Sequence, residues 1–346
     1  MPDWTSQRVT QQLSTFLWDQ WTQLGLAGVS TRRDDWAIDP EALLLLGVRC
    51  ADTDPRLFGE TLDWLRCNGR LVSAKRLRNL ARDDRSRRLA DAALTWAGTH
   101  QASLQLWARG ERDPWPTNRL ESLTDLAVRE PDPALASFGF LWPRVEPSGK
   151  SARVDAFRPV ALAFRLRLIF GVGARAEAVR YLLTCARADS SVAAVARAAA
   201  FGKRNVADAL AALAAAGVIE QSQAGREHRY RVDVDDWTGL LHTSADELPR
   251  AVDWVDLLPA VWQIRRWFAD DEKTERSPYV RASEARVLVS QIRPALAAAG
   301  IALPADRDAH GQAYWSVFEG VLDAVFGFLD PTARRAAQTG DRGGAA

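Results

Sequence analysis

Ten polar side chains in this chain have the types and spacing to bind phosphate groups or nucleic-acid bases. Three of them, Lys203, Arg204 and Asn205, are consecutive hydrogen-bond donors at the start of a helical pattern. Donors in the first turn of a helix can reach phosphate oxygens and base edges. The other candidates are Arg226, His228, Arg229 and Arg231 in a strand-like run, and Lys75, Arg78 and Arg82 in a basic segment.

The helical pattern over residues 203–216 has one apolar face. Val206, Leu210 and Leu213 recur at i, i+4 and i+7, which places them on the same side of a helix. The opposite side carries Arg204, Asp208 and three alanines, at positions 211, 212 and 215. Small alanines would let this helix approach a groove closely, whereas the Asp208 carboxylate would repel phosphate.

The segments around this helix predict a turn before it and a hairpin after it. Ser190 or Ser191 is a suitable cap for a short helix at 192–199, and Phe201-Gly202 makes a tight turn. Gly217 stands where a helix commonly ends. Two strand-like runs follow, at 218–223 and 228–234, with a turn at 224–227. Their period of two puts the arginines opposite the apolar side chains.

This order of helix, turn, helix and hairpin, over about residues 174–236, resembles the winged-helix regulators of the MarR and ArsR type. The resemblance implies a transcriptional regulator that binds double-stranded DNA, with 203–205 at the bases and the hairpin arginines at phosphates or the minor groove. It also implies a homodimer that spans two half-sites. The residues that carry it are Val195-Ala196, Gly202, Val206, Leu210, Leu213, Gly217 and Val218-Ile219, followed by the basic hairpin.

Other functions remain open at this point. The same module can dock a protein, as in an adaptor or an antitoxin-like autoregulator of a toxin–antitoxin or phage-defence operon, or serve only as a structural unit. A partner protein or a small effector is therefore possible, with Trp254, Trp262 and Trp267 as either an effector pocket or an aromatic core. Gly171-Val172-Gly173 lacks the spacing and Lys-Ser/Thr ending of a phosphate loop, so it predicts a helix break. We expect no enzyme, cofactor or metal site.

The segment from Arg70 to Arg88 has eight basic residues and two acids, in a chain whose net charge is +1. Its pattern predicts a helix at 74–82. Lys75, Arg78 and Arg82 share one stripe of that helix, at i, i+3 and i+7. This stripe is either a second DNA surface, in a degenerate helix-turn-helix, or an ordinary solvated basic face.

The composition, 47% hydrophobic and 26% charged, is typical of a packed globular protein. The pattern predicts a mainly α fold: a helical N-terminal domain at 1–145, a winged-helix domain at 155–240, a helical C-terminal domain at 245–330 and a disordered tail at 331–346. A linker is predicted at 143–153. Predicted helices outside the module lie at 7–24, 41–51, 56–67, 74–82, 87–99, 118–129, 160–170, 248–268, 281–299 and 314–329.

The N-terminus has no basic region followed by an apolar run, and the longest apolar run, 42–48, is too short to span a bilayer. We therefore expect a cytoplasmic protein with no membrane partner. The three cysteines have neither disulfide nor zinc spacing. The stripe of Tyr314, Phe318, Val321 or Leu322, Val325 and Leu329 is either core or a dimer seam.

Overall fold

A computed structural model describes residues 4–28, 36–109, 116–125, 127–185, 189–272, 276–306 and 309–330. The chain divides into two compact units. Unit 1 comprises Met1–Gln20, Val29–Thr31 and Val252–Ala346; unit 2 comprises Trp21–Gly28 and Arg32–Ala251. The tail expected at 331–346 lies outside the described residues, and the boundaries of the three expected domains stay predictions.

Helices dominate the described chain, which confirms the mainly α class. The helices are α1 (Ser6–Gln23), α2 (Pro40–Arg49), α3 (Pro55–Asn68), α4 (Ala74–Leu80), α5 (Asp84–His100), α6 (Gln105–Ala108), α7 (Pro133–Ala136), α8 (Leu162–Phe170), α9 (Ala174–Thr184), α10 (Val192–Ala199), α11 (Lys203–Ala215), α12 (Val234–Leu241), α13 (Trp254–Glu272), α14 (Pro278–Ala298) and α15 (Tyr314–Leu329). The strands are β1 (Glu121–Ser122), β2 (Phe140–Leu141), β3 (Ser190–Ser191), β4 (Glu220–Ala224) and β5 (Glu227–Arg231). No helix among the described residues has the length and apolar character needed to cross a membrane.

Unit 1 packs around an aromatic core. The rings of Trp4 and Phe326 stack with centroids 5.0 Å apart, and those of Phe268 and Phe318 lie 6.1 Å apart. The indole N–H of Trp4 also donates to Asp323 over 2.9 Å. The α15 stripe proposed as core or seam is fully buried within the chain, so it is core. Any dimer seam must use other residues.

One predicted helix, 118–129, is wrong over its described residues. Thr117–Arg119 is a short 3-10 turn, and β1 follows it. The backbone N–H groups of Glu121 and Leu123 donate to the carbonyls of Gly139 and Leu141, at 2.8 and 3.2 Å. Pairing with a strand far along the chain therefore takes the hydrogen bonds that a helix would have made internally.

In unit 2, the segment at 143–153 has the irregular backbone expected of a linker, but it is hydrogen-bonded to α3. The hydroxyl of Ser148 donates to Glu60 over 2.8 Å. The side-chain amide of Asn68 donates to the carbonyl of Ala152 over 3.0 Å and accepts from the N–H of Val154 over 3.0 Å. These contacts hold the segment against the helix.

The helices from α8 to α12 of unit 2 share one hydrophobic core with a three-stranded antiparallel sheet. The helix break expected at 171–173 separates α8 from α9, and Gly171 has a φ of +78°. The strand order is β3-β5-β4, with Tyr230 of β5 opposite both Ser190 and Gln221. The predicted hairpin is present with Gly225 and Arg226 as its turn, whereas β3 and α12 were not predicted.

Candidate functional site

The exposed face of α11 begins at a well-defined turn. The hydroxyl of Ser191 accepts from the N–H of Ala194 and caps α10. Ala200 then takes the left-handed conformation, with φ +54°, and redirects the chain into α11. A non-glycine residue pays a steric cost in this region, so its neighbours must hold it there.

The burial of α11 divides it into two faces. Its buried residues are Val206, Ala209, Leu210 and Leu213. Its exposed residues are Lys203, Arg204, Asn205, Asp208, Ala211, Ala212 and Ala215. The side chains of Lys203 and Arg204 make no ion pair with the part of the chain that the structure describes, so their charges are available to a ligand.

The hairpin arginines differ in their electrostatic partners. Arg231 pairs with Glu220 across the two strands, and Arg229 pairs with Glu227 at 2.8 Å and with Asp189 at 3.6 Å. Arg226, exposed in the turn, has no ion pair to described residues. His228 is exposed and lies 3.0 Å from the side-chain nitrogen of Gln221. The four candidates are therefore grouped on one hairpin, but a single one, Arg226, presents an uncompensated charge.

The predicted stripe on residues 74–82 is wrong at its C-terminal end. Helix α4 ends at Leu80, because Ala81 leaves helical geometry with ψ +83° and Asp83 caps the next helix. Arg82 therefore lies outside the helix and does not share a stripe with Lys75 and Arg78.

The remaining two members of that stripe, Lys75 and Arg78, differ in their ion pairing. Arg78 pairs with Asp91 over 2.7 Å, whereas Lys75 is exposed and makes no ion pair to described residues. Much of the basic segment is also neutralised locally, because Arg85 and Arg88 both pair with Glu121. The segment is thus less positive than its sequence suggests.

A third basic residue of α4 is not on the surface at all. Arg76 is fully buried and forms a bidentate pair with Asp39 and a 2.9 Å pair with Glu41. It belongs to a buried charge cluster of three carboxylates and three guanidinium groups. The members of the buried charge cluster are Asp39, Glu41, Arg76, Arg167, Glu177 and Arg180.

The buried charge cluster joins helices that are distant in sequence. Arg167 of α8 pairs with Glu41 at 2.7 Å and with Glu177 of α9 at 2.6 Å. Arg180 pairs with Glu177 at 2.9 Å. The charges sum to zero, which is the condition under which buried ions are tolerated. The cluster therefore ties the N-terminal helices of unit 2 to the helices that precede α11.

Ionisation of two buried carboxyl groups, those of Asp39 and Glu177, is favoured by their partners. Burial alone would raise the pKa of Asp39, but the Arg76 guanidinium outweighs it and the pKa is below its ordinary value. Burial likewise opposes ionisation of Glu177, yet Arg167, Arg180 and Arg76 together lower the pKa of this carboxyl. The same carboxylates raise the pKa of Arg76.

Arg76 also connects α4 directly to α10. Its Nε donates to the carbonyl of Ala199 over 2.8 Å, and the side-chain amide of the neighbouring Asn79 donates to the carbonyl of Ala200 over 3.0 Å. These carbonyls lie at the C-terminal end of α10, where a helix leaves acceptors unsatisfied. Helix α4 thereby supports the turn that leads into α11.

One of the three tryptophans considered for an effector pocket lines a cleft. Trp267 lies in a cleft of about 510 Å³ between α13 and α14 of unit 1, together with Arg266 and Val287. Trp254 is buried in the core, and the ring of Trp262 lies against Arg265. The expected tryptophan set is therefore not assembled at one cavity.

Two features of this region had no clear signal in the sequence. The buried charge cluster depends on pairs separated by tens of residues. Arg175, exposed at the start of α9, lines a cleft together with Lys75 and Asn205.

Comparison with known protein families, curated proteins and solved structures gives no match to this chain. Its function must therefore be inferred from the geometry described above.

Proposed function

We propose that this protein is a DNA-binding transcriptional regulator in which α11 enters the major groove of double-stranded DNA. The observation that carries the proposal is the first turn of α11, where Lys203, Arg204 and Asn205 are all exposed and have no side-chain partner among the described residues. A helix fits the major groove, and side chains in its first turn are those that reach the base edges.

The support of α11 favours this role over an incidental basic surface. Val206, Leu210 and Leu213 anchor the helix in the core of unit 2, while its outer face carries alanines at 211, 212 and 215. Short side chains reduce the distance between the helix backbone and the groove. A firmly packed helix with a low-profile outer face is suited to insertion.

The hairpin β4–β5 supplies the second contact in this proposal. Strand β3 pairs with β5, so the hairpin is tied to the start of α10 rather than projecting alone. Arg226 at its turn has the free charge needed to neutralise a phosphate. Arg229 and Arg231 can contribute only by exchanging their carboxylate partners for DNA, so we assign them smaller roles.

Protein docking is the alternative that one specific observation favours. Three large apolar side chains of unit 2 are exposed: Phe157 at 73%, Leu168 at 62% and Leu240 at 54%. Arg165 lies over the Phe157 ring and donates to the carbonyl of Leu241. Exposed apolar groups of this kind are typical of protein-binding surfaces, as an adaptor or autoregulator in a toxin–antitoxin or defence operon would need.

The test is recovery and sequencing of duplexes bound by the full chain from a random pool and from fragmented genomic DNA. DNA reading by α11 predicts enrichment of a common motif, and a homodimer predicts two copies about one helical turn apart. A protein that retains no duplex above a bead-only control, even at low salt, would contradict the proposal. Replacement of Phe157 and Leu168 by Ser should leave the enriched motif unchanged, since neither side chain lies on α11 or on the hairpin.

A further inference from the structure

Unit 2 contains a cleft that brings together residues of the Arg70–Arg88 segment and residues of the first half of α11. The cleft has a volume of about 470 Å³ and is lined by the start of α4, the connection from α8 to α9 and the first half of α11. Phe170 and Phe201 form apolar parts of its wall. Its ionisable side chains are Lys75, Arg175 and Asp208, and Asn205 adds an amide.

The charges in this cleft are mostly uncompensated. Lys75 and Arg175 are both exposed, and neither makes an ion pair within the described ranges. Asp208 is the opposing carboxylate, so the lining carries a net charge of +1. Two cations from different helices, an amide donor and a concave wall form a site for a single anionic group rather than a diffuse basic surface.

The cleft also has a fixed geometry relative to α11. Lys75 precedes the buried Arg76, whose pairs with Asp39 and Glu41 hold α4 in place. The hydrogen bonds from α4 to Ala199 and Ala200 hold it against the turn before α11. Lys75 is therefore positioned beside Asn205 by rigid elements and not by a flexible loop.

We propose that this cleft binds one phosphate group of the DNA backbone next to the bases contacted by α11. The inference rests on the proposed function; it adds Arg175 to the DNA-binding residues and places Lys75 with Arg175 at a single phosphate. The Arg175 guanidinium can donate two hydrogen bonds to phosphate oxygens, and Lys75 supplies a compact positive charge. Asp208 opposes the phosphate and limits the strength of this contact.

The test compares the salt dependence of DNA binding by the full chain and by the double variant Lys75→Gln with Arg175→Gln. Loss of one phosphate contact should reduce the slope of log K against log salt by about one unit and leave the sequence preference unchanged. Lys150→Gln is the control, because it removes an exposed charge that lies on none of the cleft elements. Both lost cations are exposed, so thermal unfolding should stay near that of the wild type.

A second variant tests the same cleft without removing a cation. Asp208→Asn removes the opposing charge and should tighten DNA binding severalfold at low salt, with a smaller gain at high salt. An unchanged slope in the double variant and unchanged affinity in Asp208→Asn would overturn the inference while leaving DNA binding by α11 intact. A wild-type protein that binds no DNA would overturn the proposed function and this inference together.

Free phosphate is the other source of the same chemistry. Inorganic phosphate added at constant ionic strength should displace DNA no better than chloride does, because the cleft supplies one contact among several. Calorimetric binding of inorganic phosphate at low millimolar concentration to the wild type and not to the double variant, with equal DNA affinity and equal salt slope in the two proteins, would assign the cleft to a free anion instead of the DNA backbone.

Discussion

Arg76 in α4 donates a 2.8 Å hydrogen bond to the carbonyl oxygen of Ala199 at the end of α10. The two residues are 123 positions apart in sequence. The contact joins the basic N-terminal segment of unit 2 to the turn that precedes the proposed DNA-binding helix. The Arg70–Arg88 segment and the exposed face of α11, which are far apart in sequence, are thereby connected in the fold.

Replacement of Arg76 by Met should lower the free energy of unfolding by about 3–5 kcal/mol, because it removes the bidentate partner of the buried Asp39 and leaves the buried charge cluster with one negative charge in excess. Chemical denaturation measures this loss. Arg78→Gln is the matched control, two residues along the same helix: its exposed pair with Asp91 should contribute at most about 1 kcal/mol. Equal effects of the two substitutions would contradict the importance of the buried charge cluster.

Acidification should destabilise unit 2 through the same cluster. The folded-state pKa values of Asp39 and Glu177 are lowered, so their stabilisation is complete above the ordinary carboxyl pKa of about 4 and is lost as the pH falls through the lowered values. Urea unfolding at a series of pH values measures this dependence. The contribution of these two groups to the free energy of unfolding should stay nearly constant from pH 7 to 5 and should decrease once the pH is below 4. One result would contradict this assignment: the wild type loses this stability completely by pH 5, and a variant with Asp39 and Glu177 replaced by amides does not show that loss.

The sequence predicted elements that depend on neighbouring residues better than elements that depend on partners far along the chain. The helix at Tyr314–Leu329 was predicted at its exact bounds, because its apolar spacing reports directly on the face it buries. The predicted helix at 118–129 failed because Glu121 and Leu123 bond to residues 18 positions away. Local periodicity contains no information about such a partner.

The same distinction applies to the candidate site. Arg204, Asn205 and Arg226 were identified from helix and hairpin patterns, and the structure leaves each exposed. The burial of Arg76 was not predicted, because isolated arginines are rarely buried and its carboxylate partners lie more than 30 residues away. Arg175 had no distinguishing neighbour in sequence, since only the fold brings it to the cleft.

The two ends of the hairpin should contribute differently to DNA binding. Arg226→Gln removes a free charge and should reduce the slope of log K against log salt by about one unit. Arg231→Gln should have a smaller effect, because in the free protein this side chain is already neutralised by Glu220. Fluorescence anisotropy titrations at several salt concentrations measure both. A larger slope change for Arg231→Gln than for Arg226→Gln would contradict the assignment of the hairpin contact.

The homodimer expected of a regulator with one module per chain stays a prediction, but its seam is not the stripe on α15. Phe318→Ala should destabilise unit 1 by about 3–5 kcal/mol, since the ring packs against Phe268, Trp267 and Trp315. It should not change the oligomeric state of the folded protein. Denaturation and light scattering check the two statements. If the wild type is a dimer and the Phe318→Ala variant is a monomer with wild-type stability, the dimer seam lies on α15 after all.

The most direct test of DNA reading by α11 is the affinity of Arg204→Ala with Asn205→Ala for the duplex selected by the wild type. Each base contact is worth about 1–3 kcal/mol, so the double variant should bind this duplex at least tenfold more weakly. Its discrimination between the selected and a scrambled duplex should also fall, whereas its thermal unfolding should stay near that of the wild type. The Lys150→Gln control should bind DNA with nearly wild-type affinity. A double variant with wild-type affinity and wild-type discrimination would contradict the account.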